Sequence, residues 1–486
     1  MKSGCYAAVD LGATSGRVTS GFFDGSKLCL GAEYRFPNIP VRIHKTLYWD
    51  ILGIYRHVAE GLTQIAAQND IMSVGVDTWG NDFALFDRTG RMLENAVHYR
   101  DEMTKGMPER LQKVVPMREL YNITGIQHMR VNGLYKLYAM SQNDYSSYRC
   151  ASRLLMIPDI MTYFLTGEMI NEYTNASTTQ MLCAKTGDWA YGMLERLGIN
   201  TQIFSKPVVL SKAAFPLADR SLYGKAKLAV IGTHDTACAV AAVPCVKENF
   251  IYISSGTWSL VGTETDNCII SETALKYNLT NEGGVFGKNR LLKNVMGMWI
   301  LEELIREWKS KGISVSYESI MAEAKKAKPY AMLIDPDDPQ FIDMGDMSEK
   351  VDGYLMKTGQ TPPRDIGSYA RCLFDSLAIK YTTVMEQITK ITGKRYEVIH
   401  IVGGGSKNTL LNQIVADVSG LPVAAGPAEA TTTGNILTQA SVCGEIAGLA
   451  ELRDVSARSS SITVYEPSGE GQAREAYDKF ENILRR

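Results

Sequence analysis

The run Asp10-Leu11-Gly12-Ala13-Thr14-Ser15-Gly16-Arg17, directly behind the apolar stretch Tyr6-Ala7-Ala8-Val9, constrains the fold more than any other feature. Gly12 and Gly16 can adopt positive φ without steric cost, so successive backbone N–H groups can line one concavity, with the Thr14 and Ser15 hydroxyls as further donors and Arg17 as a cation. Such a turn suits a phosphate. Asp10 would repel a bare phosphate but suits a Mg²⁺ ion that arrives on a nucleotide and keeps several of its waters. The spacing is neither Gly-x-Gly-x-x-Gly nor Gly-x-x-x-x-Gly-Lys-Ser/Thr, and residues 18–23 read as a second strand rather than a helix. A Mg-nucleotide hairpin is one reading; a plain hairpin with a glycine-rich turn is the other.

A chain of 486 residues exceeds the size at which a single core stops growing, so two domains are expected, with a soft boundary near residue 245. Lys and Arg number 51 against 53 Asp and Glu, without runs of like charge, which argues against a nucleic-acid binder or a polybasic membrane-surface protein. The nine cysteines contain no Cys-x-x-Cys pair and only six histidines accompany them, so no zinc site is indicated. They read as reduced thiols of a cytoplasmic protein, most packed as small hydrophobes. The start Met1-Lys2-Ser3-Gly4 and the break at Asp10 leave no secretory apolar segment. The longest apolar run, Ala237 to Val246, is too short to span a bilayer.

Strand and helix signals alternate, as in α/β domains. Asp24-Gly25 marks a hairpin, Trp49 to Asn69 carries an amphipathic helical pattern, and Ile71 to Val76 predicts a strand ending in the Asp77-Thr78-Trp79-Gly80 turn. Phe83 to Phe86 predicts another, followed by a hairpin across Asp87-Arg88-Thr89-Gly90. After Pro244 the opening pattern restarts: strand Asn249 to Ile253, turn Ser254-Ser255-Gly256-Thr257, returning strand Trp258 to Gly262. That echo suggests a duplicated architecture.

Four segments carry candidate chemistry. In Val230-Ile231-Gly232-Thr233-His234-Asp235-Thr236-Ala237 an apolar strand runs into a polar turn and a small-residue helix, placing the Asp235 carboxylate where it can take a proton from a hydroxyl attacking a γ-phosphate. Helix N-capping is the competing role. Ser254 to Thr257 can hold phosphates from a second lobe, although Ser-Gly turns between strands are common. The strand Val398 to Val402 ends in Gly403-Gly404-Gly405-Ser406, a bare backbone against which an adenine ring or a phosphate can lie; a dehydrogenase site is the weaker alternative because the Gly-x-Gly-x-x-Gly spacing is missing. Gly426 to Asn435 opens a small-residue helix suited to close packing. Tyr99 to Glu102 and Asn294 are polar groups able to bind a polyol, and Trp79 and Trp299 could stack on a sugar face or belong to the core.

Taken in order, these segments, together with Asp77 to Phe83, Tyr252 to Leu260, Asn281-Glu282-Gly283-Gly284 and Gly403 to Asn408, resemble the FGGY carbohydrate kinases over nearly the whole chain. The resemblance implies an α/β protein of two actin-like (ribonuclease H-like) domains, 1–245 and 246–486, with a nucleotide and sugar cleft between them. It implies ATP and Mg²⁺ as cofactors, Asp235 as proton acceptor, Gly80, His234, Asp235, Thr236 and Asn294 near the sugar, and Asp10 at the metal. Ala13, Thr14, Ser15, Gly16, Arg17, Thr257, Glu302 and Gly404 would line the ATP site. The implied substrate is a ketose, L-rhamnulose first, with L-fuculose or xylulose as the alternative and a non-sugar actin-like ATPase as a remote one; monomer and homodimer both stay open. The chain departs from the pattern at three places. Glu302 stands where Gln is typical, Asn132-Gly133-Leu134-Tyr135-Lys136-Leu137 replaces Asn-Thr-Leu-x-Gln-Leu, and Asn81 replaces a common Val.

Overall fold

The computed structural model describes residues 4–210, 214–245, 249–469 and 471–484, without the side chains of 481–484. Its chain forms two compact units, and neither is a simple half. One comprises Met1–Val246, Glu264–Leu291 and Ala430–Ser460; the other comprises Lys247–Thr263, Leu292–Glu429 and Ser461–Arg486.

The first unit is organised by a six-stranded sheet. Gly4–Leu11 lies at its middle, antiparallel to Ser15–Phe23 and parallel to Ile71–Thr78; Leu28–Pro37 closes one edge, and Lys227–Ala229 and Ala214–Pro216 close the other. The apolar run after Cys5 is buried on both faces, as a central strand requires. The helix Ile51–Ala66 starts at Asp50, whose side chain accepts from Gly53 N, and buries Ile51, Ile54, Val58, Leu62 and Ile65 at helical spacing. A further core gathers Phe83, Leu134, Tyr135, Leu154, Met181 and Trp189, so a largely helical subregion has its own interior.

The turn chemistry deviates from expectation at two points. Gly12 and Gly16 do not have positive φ. A Cβ at Gly16 would lie 2.3 Å from the Phe36 ring, and one at Gly12 would lie 3.1 Å from Ser15 O, so close packing rather than handedness accounts for both glycines. The hairpin expected across Asp87 to Gly90 is present as a tight turn, with Gly90 N donating to Asp87 O at 3.1 Å and Asp87 N to Arg91 O at 3.0 Å. Its returning arm is short, a single bridge between Phe86 and Met92, and the longer pairing of Phe83–Phe86 is with Arg153–Met156, whose Leu154, Leu155 and Met156 are buried. No disulfide joins the nine cysteines; Cys5, Cys238, Cys245 and Cys372 are buried, Cys183 and Cys268 are half-buried, and Cys29, Cys150 and Cys443 are exposed.

The second sheet repeats the plan of the first. Ile251–Ser255 is antiparallel to Trp258–Thr265 and parallel to Ile399–Val402, with Val423–Ala425 parallel and Thr463–Tyr465 antiparallel beyond it. The duplication expected from the two strand-turn-strand openings is thus present in strand order and direction. Ser254 and Ser255 belong to the strand, leaving Gly256 and Thr257 as the turn. A 27-residue helix, Ile366–Thr392, is capped by Asp365 at its start and by Gly393 at φ 65° at its end. Among the described residues no helix is long and apolar enough to cross a membrane.

Candidate active site

In the first unit, strand register alone assembles a polar edge. Asp10 is the cross-strand partner of Asp77 on one side and of Arg17 on the other, and Thr78 bridges to His234. Cross-strand partners share a face, so two carboxylates and a guanidinium meet where parallel strands end, the usual place for a ligand in such sheets. Arg17 donates to Asp10 Oδ2 from Nε at 2.9 Å and from Nη2 at 2.6 Å, and Thr432 Oγ1 donates to the same oxygen at 3.2 Å. Asn435 Nδ2 donates to Asp77 Oδ2 at 2.6 Å, while Asp77 Oδ1 is buried without a hydrogen-bond partner. Burial, then the nearby charge of Asp10, pushes the Asp77 carboxyl well above the usual carboxylate range.

Asp235 is the first residue of the helix Asp235–Ala241, whose N-cap is His234. Its carboxylate accepts from its own neighbour, Thr236 N, at 2.5 Å and Thr236 Oγ1 at 3.1 Å, and 30% of its side-chain surface remains open. The N-cap position weighed against catalysis therefore falls on His234, whose side chain makes no capping bond, and not on Asp235. Desolvation, then the charge of Asp10, raises the Asp235 carboxyl to about 7. A carboxylate poised near neutrality with an open face has the properties of a general base.

The loop carrying Asp235 is held from two directions. Glu172 Oε2 accepts from Thr233 N at 3.0 Å, Thr233 Oγ1 at 2.8 Å and Thr174 Oγ1 at 2.6 Å, and His234 N donates to Thr174 Oγ1 at 3.1 Å. Arg290 Nη2 lies 2.9 Å from His234 Nδ1 and donates to Glu282 at 3.3 Å. Burial and then the Arg290 charge hold the His234 imidazole well below its usual range, so it is neutral. Gly80 follows Trp79 in the next loop, where a Cβ would come within 2.7 Å of Thr178 Oγ1.

In the second unit, the Gly256-Thr257 turn receives Met298 N on Gly256 O at 3.1 Å and Trp299 N on Thr257 O at 3.2 Å. Thr257 Oγ1 donates to Glu302 at 3.4 Å, so the structure brings together two residues expected at the nucleotide. The three consecutive glycines divide their roles. Gly403 has φ 80°, and a Cβ on Gly405 would lie 2.0 Å from Ser255 Oγ, whereas a Cβ on Gly404 would meet nothing within 4 Å. Packing on Ser255 thus explains Gly403 and Gly405, and Gly404 presents open backbone. Asn294 lies half-buried on the strand Asn289–Met296. Trp299 is buried and donates Nε1 to Phe341 O at 3.1 Å, which makes it a core residue rather than a sugar platform.

Among the described residues no group of three His, Cys, Asp or Glu could hold a metal ion by itself. Asp10, with the unsatisfied oxygen of Asp77 beside its strand, fits a Mg²⁺ that brings most of its ligands as water and phosphate. Sequence reasoning assigned no role to Asp77, Thr432 or Asn435. The small-residue helix packs closely at Gly434, as its composition predicts, since a Cβ there would strike Cys238 O at 1.9 Å, but its polar members also reach the strand carboxylates.

Residues 5–240 match the N-terminal domain, and residues 251–443 the C-terminal domain, of the FGGY family of carbohydrate kinases. The chain belongs to that family of sugar kinases. It is 40% identical over 485 residues to a protein named Rhamnulokinase from Bacteroides thetaiotaomicron, covering 99% of each chain. It is 36% identical over 471 residues to the Rhamnulokinase of Bacillus subtilis, covering 95% of each. Solved structures with the same fold include a ligand-bound xylulose kinase from Lactobacillus acidophilus, with TM-score 0.79, 15% identity and coverage of 99% of this chain and 96% of the other. Another is a glycerol kinase from Plasmodium falciparum with ADP, with TM-score 0.78, 15% identity and coverage of 99% and 98%.

Proposed function

We propose that this carbohydrate kinase transfers the γ-phosphoryl group of ATP to O1 of L-rhamnulose, giving L-rhamnulose 1-phosphate and ADP. Asp235 takes the O1 proton as the oxygen attacks phosphorus and the bond to the β-phosphate oxygen breaks. His234, Thr236, Gly80 and Asn294 contact the sugar. Ala13 to Arg17, Thr257, Glu302 and Gly404 contact ATP, and Asp10 receives the Mg²⁺, which when bound neutralises charge on the phosphates. Within the family's division of the chain, residues 1–245 supply most of the sugar site and the phosphate hairpin and 246–486 the adenosine site, in a cytoplasmic monomer or homodimer. The observation that carries the chemistry is the Asp235 carboxylate, partly open and raised to about 7. The sugar is carried by the two relatives at 40% and 36% identity, both named Rhamnulokinase.

A coupled ADP assay over a panel of ketoses tests both parts. ADP release that requires added ketose and is fastest with L-rhamnulose is the expected result. Release without ketose overturns the kinase assignment, and a preference for L-fuculose or xylulose overturns the sugar. The departures at Asn81, Gly133 and Lys136, which meet beside Gly80, favour such a ketose as the second reading.

A further inference from the structure

Both residues flanking Gly80 are anchored to a single helix, Gly133–Gln142, in the first unit. On the C-terminal side, Asn81 adopts φ 72°, its N–H donates to Thr178 Oγ1 at 2.9 Å, and its Oδ1 accepts from Gly133 N at 3.1 Å. A Cβ at position 133 would lie 2.8 Å from Asn81 O, so the left-handed Asn81 and the missing side chain at Gly133 require each other. On the N-terminal side, Trp79 Nε1 donates to Asp82 Oδ2 at 3.0 Å, and the same oxygen accepts from Trp49 Nε1 at 2.5 Å and Tyr99 N at 3.3 Å. The other Asp82 oxygen accepts from Lys136 Nζ, one turn along the helix from Gly133, and that ammonium also donates to Val97 O at 2.7 Å.

The Lys136 and Asp82 side chains are 1% and 0% exposed. Such a pair carries a large desolvation cost, and its best-attested benefit is to fix one arrangement of the groups around it. Here those groups are two indoles whose ring centroids lie 4.2 Å apart and His98, stacked on Trp49 at 4.1 Å.

We propose that Gly133 and Lys136 are positioning residues for the ketose: together they clamp the Gly80 turn from both sides and thereby set which sugar the site prefers. The inference rests on the reading of Gly80 as a sugar contact. Neither residue touches substrate or reacting atoms. Lys136 acts through Asp82 and the indoles, and Gly133 acts through Asn81.

The test compares Lys136→Met, Lys136→Gln, Gly133→Ala and Gly80→Ala in the full-length protein, measuring kcat and KM for L-rhamnulose and L-fuculose, KM for ATP, and tryptophan emission. Lys136→Met leaves Asp82 buried without its cation and should raise the ketose KM on the order of 10-fold, shift the emission and leave the ATP KM within about twofold. Lys136→Gln keeps a donor of similar reach and should hold the ketose KM within about threefold. Gly133→Ala should change the ratio of the two ketoses' kcat/KM and, if Lys136→Met does not fold, carries the test by itself. Met and Gln variants that behave alike, or Met and Ala variants that fold and leave ketose KM and selectivity unchanged while Gly80→Ala raises that KM, overturn the inference. If Gly80→Ala leaves ketose KM unchanged, the sugar-site reading fails first and the clamp with it.

Discussion

Asp235 combines two properties that seldom coincide, an open face and a carboxyl raised to about 7 by desolvation and by the charge of Asp10. Removing the carboxylate charge with Asp235→Asn should lower kcat by about 10² to 10⁴-fold, the range of a general base, with ATP affinity retained. A single-turnover experiment separates this from lost binding. Because the base must be ionised, kcat/KM for the ketose should rise as pH increases through about 7 and then level off. A profile flat from pH 6 to 8 contradicts the assignment. The same shift has a stability sign. The folded carboxyl lies above its ordinary 3.8, so its stabilising contribution is complete at pH values below that figure and is lost as pH rises through about 7. Asp235→Asn should therefore melt at a higher temperature than the native protein at pH 8, and the gain should shrink at pH 5. Asp235 and Asp10 stood out in the sequence because each sits at a strand end beside glycine or hydroxyl residues. Asp77 did not, because its part depends on a strand neighbour 67 positions away and on Asn435, which local pattern does not reveal.

At the level of elements, the strands were legible where apolar runs met turn residues: Ser15–Phe23, Ile71–Thr78 and Ile399–Val402 follow from such boundaries. Pairing was less so. Phe83–Phe86 finds its partner in Arg153–Met156, a contact that no local turn signal encodes. Glycines announce close approach without naming the neighbour. Gly434 illustrates this, since its helix packs so tightly on Asp235–Ala241 that an added Cβ would lie 1.9 Å from Cys238 O. Gly434→Ala should cost about 1 to 3 kcal/mol by overpacking and, by displacing the helix that begins with Asp235, lower kcat as well. Denaturant melts and steady-state kinetics on one preparation check both effects. Gly405→Ala faces a similar obstacle at Ser255 Oγ, 2.0 Å from the new carbon, whereas Gly404→Ala meets nothing within 4 Å and should fold normally while weakening ATP binding. Equal stability loss in the two variants would contradict this division of roles.

Across the whole molecule, the two sheets share the sequence of one antiparallel hairpin, two parallel strands and one antiparallel edge strand. That repeat was visible only as two similar openings, because the later strands are three residues long and lack an alternating pattern. For a kinase of this design, Mg-ATP at about 100 times its Kd should stabilise the fold by about 2.7 kcal/mol, measurable by thermal melting. No shift with Mg-ATP would count against the nucleotide assignment. The helix Ala430–Val442 has a consequence for biosynthesis. Its Thr432, Asn435 and Gln439 side chains donate to Asp10, to one oxygen of Asp77 and to the Ala7 carbonyl, yet they leave the ribosome more than 400 residues after Asp10. The nascent amino-terminal part must therefore wait, its central strands lacking their final partners, until most of the 486 residues have been made, and a fragment ending at residue 245 should remain unfolded or aggregate, which circular dichroism and light scattering on the fragment check.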